Sequence, residues 1–311
     1  MSLLRFTNVR KHSPIVSFAF QFATRFRRRM AVHRIGCIAT LVAGALLAGC
    51  AHEPLTGPHQ EHYSGPSFCE PTQRSNAVQI VAHRGEMRKG PENTLAAYQG
   101  AINAGYEWIE TDIRLSADGH HVIFHDEKLD AISNGSGPLR LKTLSELKSL
   151  EIHARHNASL PNARMLTFEE LLRFARGKIK LVLDCKDIDP PLLIEQIRAA
   201  EMTDQVLVSA GKGTLRKVNA ASHGTVPVMA RYRRGSLSGL IASLSPAVVQ
   251  IYGDKLTPGL VRTCRQAGVC VMAQTLGRRD RPEIWRTVGG LGADFIMTDF
   301  GEDVRKGNAT K

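Results

Sequence analysis

Residues 78–126 read VQIVAHRGEMRKGPENTLAAYQGAINAGYEWIETDIRLSADGHHVIFHD, and the fold follows from how this stretch alternates. A β-rich run from Val78 to His83 leads through a short loop into a helical pattern from Asn93 to Ala104. An Asn start, Leu95, Tyr98 and Ile102 on one face, and Gly105 as terminator mark that helix. A second β-rich run, Trp108 to Asp112, follows at once, and a third, His121 to His125, comes too soon after it for a helix to intervene. Further runs recur at Ile179 to Asp184, Gln205 to Ser209, Thr225 to Arg231, Val248 to Tyr252, Val269 to Gln274 and Asp294 to Thr298, with helical stretches between most of them. This alternation predicts a parallel sheet covered by helices. The expected fold class is α/β, a TIM-type (β/α)8 barrel over residues 78–303. Nine strand candidates for eight positions mean that one of them is misjudged or lies outside the barrel. An open doubly wound sheet is the alternative, but no Gly-x-Gly-x-x-Gly fingerprint follows the first strand.

Upstream of this domain the character of the chain changes. The formal charge is +12 over 311 residues, yet residues 1–49 hold eight Arg or Lys and no acid, so the remainder has 33 basic residues against 29 acidic ones. So mild an excess, with no basic helix and no series of base-stacking aromatics, argues against a nucleic-acid partner and suits a small anion or a membrane surface. The apolar run from Ile35 to Gly49 is too short to span a bilayer and is preceded by basic residues, which is a signal-peptide profile. It closes on Leu47-Ala48-Gly49-Cys50, a sequence that resembles a bacterial lipobox, with Cys50 as the lipidated residue. Residues 1–49 are thus expected to be an upstream extension and lipoprotein signal, with Met30 a candidate start, and residues 50–77 a Pro/Gly/Ser-rich tether. The expected location is outside the cytoplasm, lipid-anchored on the periplasmic or outer-membrane side, with residues 304–311 as a C-terminal tail. Of the cysteines outside the leader, Cys264 and Cys270 either pair with each other or remain buried thiols.

Candidate chemistry gathers at the ends of the β-rich runs. The first ends in His83-Arg84-Gly85 and is followed by Pro91-Glu92-Asn93-Thr94. A histidine and an arginine at the carboxyl end of a parallel strand stand where barrel enzymes place catalytic groups, and Gly85 permits a sharp turn there. Glu110 and Asp112, two residues apart, share one strand face, while Ile109 and Ile113 take the other. Two inward carboxylates repel unless a cation neutralises them, and the hard ions Ca²⁺ and Mg²⁺ take oxygen ligands. Asp184 and Lys186 repeat the spacing, which offers either a third carboxylate plus a cation for a phosphate oxygen or an internal ion pair. His125-Asp126 brings a second histidine to the same end. Two histidines beside a metal suit phosphodiester cleavage, one activating the attacking oxygen and the other protonating the leaving oxygen.

The series His83-Arg84-Gly85, Glu92-Asn93-Thr94, Glu110-x-Asp112, Asp118-Gly119, His125-Asp126, Asp184-x-Lys186 and Thr298-Asp299 resembles the glycerophosphodiester phosphodiesterase family, from Ile80 to Asp299. The resemblance implies a TIM-type barrel, one divalent cation, Ca²⁺ or Mg²⁺, and hydrolysis of glycerophosphodiesters to glycerol 3-phosphate and an alcohol. It implies that His83 and His125 act as the acid/base pair, that Glu110, Asp112 and Asp184 hold the metal, and that Arg84 and Lys186 contact phosphate. The chain departs from the family in four places. Its usual Glu-x-Lys is Asp184-x-Lys186, as in related spider-toxin-type phospholipases D; its Trp-Thr-Val-Asn is Gln274-Thr275-Leu276-Gly277; its serine-phenylalanine is Ser209-Ala210; and the arginine after its His-Asp motif is Ala131. A Trp-free pocket and a lipid anchor give weight to a second reading, phospholipase D action on lysophospholipids. A third, a surface lipoprotein that binds phosphate esters without turnover, requires a broken catalytic set, and none of the residues above is missing.

Overall fold

The computed structural model describes residues 78–308. The leader, Cys50 and the whole of the tether lie outside the described residues. Strand β1 (Gln79–His83) is followed by α1 (Leu95–Asn103), β2 (Trp108–Leu115) and β3 (His121–Ile123). An irregular excursion then contains α2 (Leu144–Ser149), β4 (Glu151–Ile152) and β5 (Ala163–Arg164), before α3 (Phe168–Ala175) returns the chain to β6 (Lys180–Cys185). From there strands and helices alternate: α4 (Pro190–Ala199), β7 (Val206–Ser209), α5 (Lys212–Ser222), β8 (Val228–Arg231), α6 (Leu237–Leu244) and β9 (Val248–Tyr252). The last elements are α7 (Pro258–Gln266), β10 (Cys270–Gln274), α8 (Pro282–Gly290), β11 (Phe295–Thr298) and α9 (Gly301–Asn308).

Eight of these strands run parallel and close on themselves. The order β1-β11-β10-β9-β8-β7-β6-β2 returns to β1 through the pairing of Val81 with Trp108 and His83 with Glu110. That closure removes the sheet edges and rules out the open doubly wound sheet. The ninth candidate is β3, which pairs antiparallel with the far end of β2, Ile113 opposite Ile123. It therefore stands outside the barrel.

Strand alternation sorts the side chains into two cores. Val81, Trp108, Val182, Leu207, Met229, Val248, Met272 and Phe295 fill the barrel interior, where the rings of Trp108 and Phe295 meet edge to face at 5.7 Å. Their neighbours Ile80, Ile109, Leu181, Val208 and Val249 pack instead under the surrounding helices. The excursion after β3 buries a small core of its own, Phe124, Leu129, Ile132, Leu139, Leu147 and Met165. Thr143 with Glu146 and Thr167 with Glu170 form capping boxes that start α2 and α3.

Four sequence expectations change. Asn93 does not cap α1: Thr94 precedes the helix, and the Asn93 backbone is left-handed at φ 61°. Leu95 faces solvent, 42% exposed, because Ala97, Tyr98 and Ala101 form the buried face. The barrel does not give way to a tail at residue 304, because α9 continues to Asn308 and buries Val304. Finally, Cys264 is a buried free thiol while Cys270 is disulfide-bonded, so these two cysteines do not pair with each other.

Candidate active site

The inward positions that are apolar low in the barrel become polar at its carboxyl end. Two residues beyond Val81 stands His83, beyond Trp108 come Glu110 and Asp112, beyond Val182 Asp184, beyond Leu207 Ser209, and beyond Met229 Arg231. These side chains and those of Arg84, His125 and Lys186 line one cavity of about 230 Å³. All seven residues expected to carry the chemistry thus come together, although His125 arrives from the loop beyond β3 rather than from a barrel strand.

Three carboxylates form its floor. Glu110 and Asp112 are buried, Asp184 is half-buried, and one oxygen of each lies within 4.8 Å of the others. Burial and the neighbouring Asp112 push the Glu110 carboxyl well above its ordinary range. Asp112 goes the other way: burial opposes its charge, but Lys186 and Arg84 outweigh burial and hold it low. Asp112 Oδ1 is 3.2 Å from the Lys186 ammonium yet makes no hydrogen bond. Clustered hard oxygens, one of them buried without a hydrogen bond, fit a divalent cation such as Ca²⁺ or Mg²⁺.

The loop after β1 fixes this cluster in place. Arg84 is left-handed at φ 56°, and its backbone N–H donates to Glu110 Oε2 at 3.2 Å. Gly85 follows at φ 93°, where a Cβ would stand 2.8 Å from the Ala97 carbonyl carbon, so only glycine lets the loop lie on α1. Asn93 Nδ2 donates to Asp112 Oδ2 at 2.9 Å, and its Oδ1 accepts from Tyr98 and from the Asp112 backbone N–H. The Arg84 guanidinium donates to Glu92 at 2.7 Å and lies 3.3 Å from Asp112. Lys186 donates to Asp184 at 2.6 Å.

Each histidine is backed by an aspartate. His83 Nδ1 is 2.7 Å from Asp299 Oδ1, and His125 Nδ1 is 2.6 Å from Asp126 Oδ1. An ionised carboxylate only accepts, so in each pair the proton sits on Nδ1 and leaves Nε2 for exchange. His83 Nε2 is 3.9 Å from Glu110 Oε2. Burial disfavours the charged His83 ring, but the Asp299 hydrogen bond and the Glu110 charge outweigh it and raise its pKa.

Sequence reasoning missed three residues around these groups and assigned no role to a fourth, Asp299. Arg231 pairs with Asp184 and donates to Ser209 at 3.0 Å. Its inward parity at the end of a strand run was a usable signal. Arg155, from the irregular excursion, ties Asp126 to the buried Glu92 at 2.8 and 2.9 Å, and no periodicity announced it. Asp299 was legible only as part of a Thr-Asp motif. Asp280 accepts from the Asp299 backbone N–H at 2.6 Å and from Trp285 at 2.8 Å.

A closed β/α barrel with an acidic, histidine-flanked cavity at its carboxyl end defines a barrel hydrolase with room for a metal. Comparison with known proteins narrows the class. Residues 83–302 match the model of the glycerophosphoryl diester phosphodiesterase family. The glycerophosphodiester phosphodiesterase of Caldanaerobacter subterraneus subsp. tengcongensis is 30% identical over 243 residues, 73% of this chain and 98% of the relative. A glycerophosphodiester phosphodiesterase from Agrobacterium tumefaciens superposes with TM-score 0.66 at 26% identity, over 72% of this chain and 96% of its own. An Oleispira antarctica phosphodiesterase, solved with the product sn-glycerol-3-phosphate, shares the fold at TM-score 0.63 and 24% identity, over 75% of this chain and 97% of its own. The chain belongs to the glycerophosphoryl diester phosphodiesterase family, and it is an enzyme, a phosphoric diester hydrolase.

Proposed function

We propose that the chain hydrolyses glycerophosphodiesters to glycerol 3-phosphate and an alcohol in a metal-dependent reaction with His83 and His125 as acid and base. The observation that carries this reading is the pair of His–Asp dyads lining the same cavity as three clustered carboxylates. Glu110, Asp112 and Asp184 would hold a divalent ion, Ca²⁺ or Mg²⁺, which supplies Lewis-acid polarisation of the phosphoryl oxygens. The protein's own groups do the rest. Arg84 and Lys186 offer donors to the non-bridging oxygens, each held in position by carboxylates on either side. One histidine takes the proton from the attacking oxygen at Nε2, and the other delivers a proton to the leaving alcohol. Asp299 and Asp126 hold the two rings in the tautomer this exchange needs. Because the polar cavity of about 230 Å³ suits a deacylated substrate, lysophospholipid hydrolysis is the weaker reading.

Release of glycerol 3-phosphate from a glycerophosphodiester, measured with and without a chelator, tests the proposal. Activity should vanish with chelator and return with Mg²⁺ or Ca²⁺. His83→Ala and His125→Ala should each lower kcat by about 10² to 10⁴ with folding intact, and the double variant should be little worse than either single one. Loss of thermal stability with normal activity per folded molecule would remove that histidine from the mechanism. For the amino-terminal segment, the lipobox-like Leu47–Cys50 supports export and lipid anchoring at Cys50, on the periplasmic or outer-membrane side.

A further inference from the structure

The proposed chemistry occupies one side of the cavity and leaves the other without a task. The rest of the wall is built by the carboxyl ends of β8 to β10 and includes Arg231, Arg233, Gln250, Gln274 and Leu276. Arg231 is committed to Asp184 and Ser209. Arg233 is not committed: among the described residues no carboxylate lies within ion-pair distance of it. Its guanidinium instead packs on the Tyr252 ring, 3.9 Å from the centroid, and reaches Gln274 Oε1 at 3.5 Å. Arg279 packs on the same ring at 4.4 Å and is held by Asp254 at 2.5 Å. Partial burial and the charges of Arg231 and Arg279 draw the Arg233 pKa below its ordinary value. A planar fork stacked on an aromatic ring loses little freedom on binding, and it matches the oxygens of a phosphate.

We propose that this arginine face is a subsite for a second phosphate group carried by the substrate alcohol. The preferred substrate is then a glycerophosphodiester whose alcohol is itself phosphorylated or linked to another glycerophosphate. The inference rests on the hydrolysis proposed above and adds its specificity. Glycerol carries no charge, so a negative group that meets Arg233 would belong to the other alcohol. A quaternary-ammonium alcohol such as choline meets like charge on the same wall. The reaction is unchanged in balance: an oxygen adds to phosphorus, the P–O bond to the alcohol breaks, and the alcohol leaves with a proton.

The test compares kcat/KM for three substrates that share one glycerophosphate end: glycerophosphocholine, glycerophosphoglycerol and bis(glycerophospho)glycerol, whose alcohols are cationic, neutral and anionic. The intact enzyme should prefer the anionic substrate to the neutral one by about tenfold or more and place choline last, the preference shrinking as salt rises. Arg233→Gln should bring the anionic-to-neutral ratio down towards one, chiefly through a higher KM for the anionic substrate. Arg233→Glu should reverse the order in favour of choline. Since Arg233 is exposed, neither variant endangers folding. Equal kcat/KM for all three substrates, or a ratio untouched by both variants, overturns the subsite while leaving the hydrolysis standing. No turnover of any of the three overturns the hydrolysis itself and the subsite with it.

Discussion

Replacement of Asp280 probes how the fold aims its chemistry. Buried just beyond β10, its carboxylate accepts from Trp285 Nε1 at 2.8 Å, Thr298 Oγ1 at 2.5 Å, Thr275 Oγ1 at 3.1 Å and the Asp299 backbone N–H at 2.6 Å. Thr275 also donates to Met297 O, so Asp280→Ala strands three donors rather than four. At about 1–2 kcal/mol for each stranded donor the loss is about 3–6 kcal/mol. For a domain of this size that lowers Tm by roughly 6–24 °C, readable by urea and thermal denaturation. Asp280→Asn separates stability from chemistry. It keeps one oxygen for Trp285 and Thr298 but turns an amide N–H₂ towards the Asp299 N–H, which costs about 1–3 kcal/mol. Because Asp299 in turn orients His83, activity per folded molecule should fall and the pH–rate profile should shift as His83 loses its partner. A loss below 1 kcal/mol in Asp280→Ala, or an unaltered kcat and pH profile in Asp280→Asn, would refute this reasoning.

Three further outcomes are expected. Asp184→Ala should weaken Mg²⁺ or Ca²⁺ binding, measured by titration calorimetry, by on the order of 10-fold or more, and unchanged affinity would show that the third ligand is not Asp184. His121 is buried, accepts from the Asp189 N–H at Nε2 and meets Gln196 at Nδ1, and burial lowers its pKa below the ordinary 6.5 despite the Gln196 bond. With a depressed folded pKa its contribution is complete above pH 6.5 and is lost as pH falls through the folded value. Tm should therefore drop more steeply below pH 6.5 in the wild type than in His121→Gln, and parallel curves would contradict the assignment. Radiolabelled fatty acid should enter the wild type and not Cys50→Ser, since Cys50 closes the lipobox-like segment. Equal labelling would exclude lipidation there.

The sequence by itself determined the strand–helix alternation, because burial under helices on one side and in the barrel on the other imposes local patterns. It also determined which residues could face inward. Once Trp108 is inside, period-two geometry puts Glu110 and Asp112 inside as well, and the same rule holds for Asp184 beyond Val182. The excess of one strand candidate over eight was legible too, because the gap between the second and third runs was too short for a helix. Only the tertiary structure decided who supports these groups. Asp299 reaches His83 across 216 residues because β11 pairs with β1, Arg155 reaches Glu92 across 63, and Arg231 reaches Asp184 across 47. No local pattern encodes such pairs. Asp280 and Arg233 belong with them, since one acquires its role from β11 and the other from Tyr252 at the end of β9. The physical reason is that periodicity records only which face of its own element a residue occupies, whereas its partner is chosen by the closure of the barrel, which brings the carboxyl ends of distant strands around one cavity.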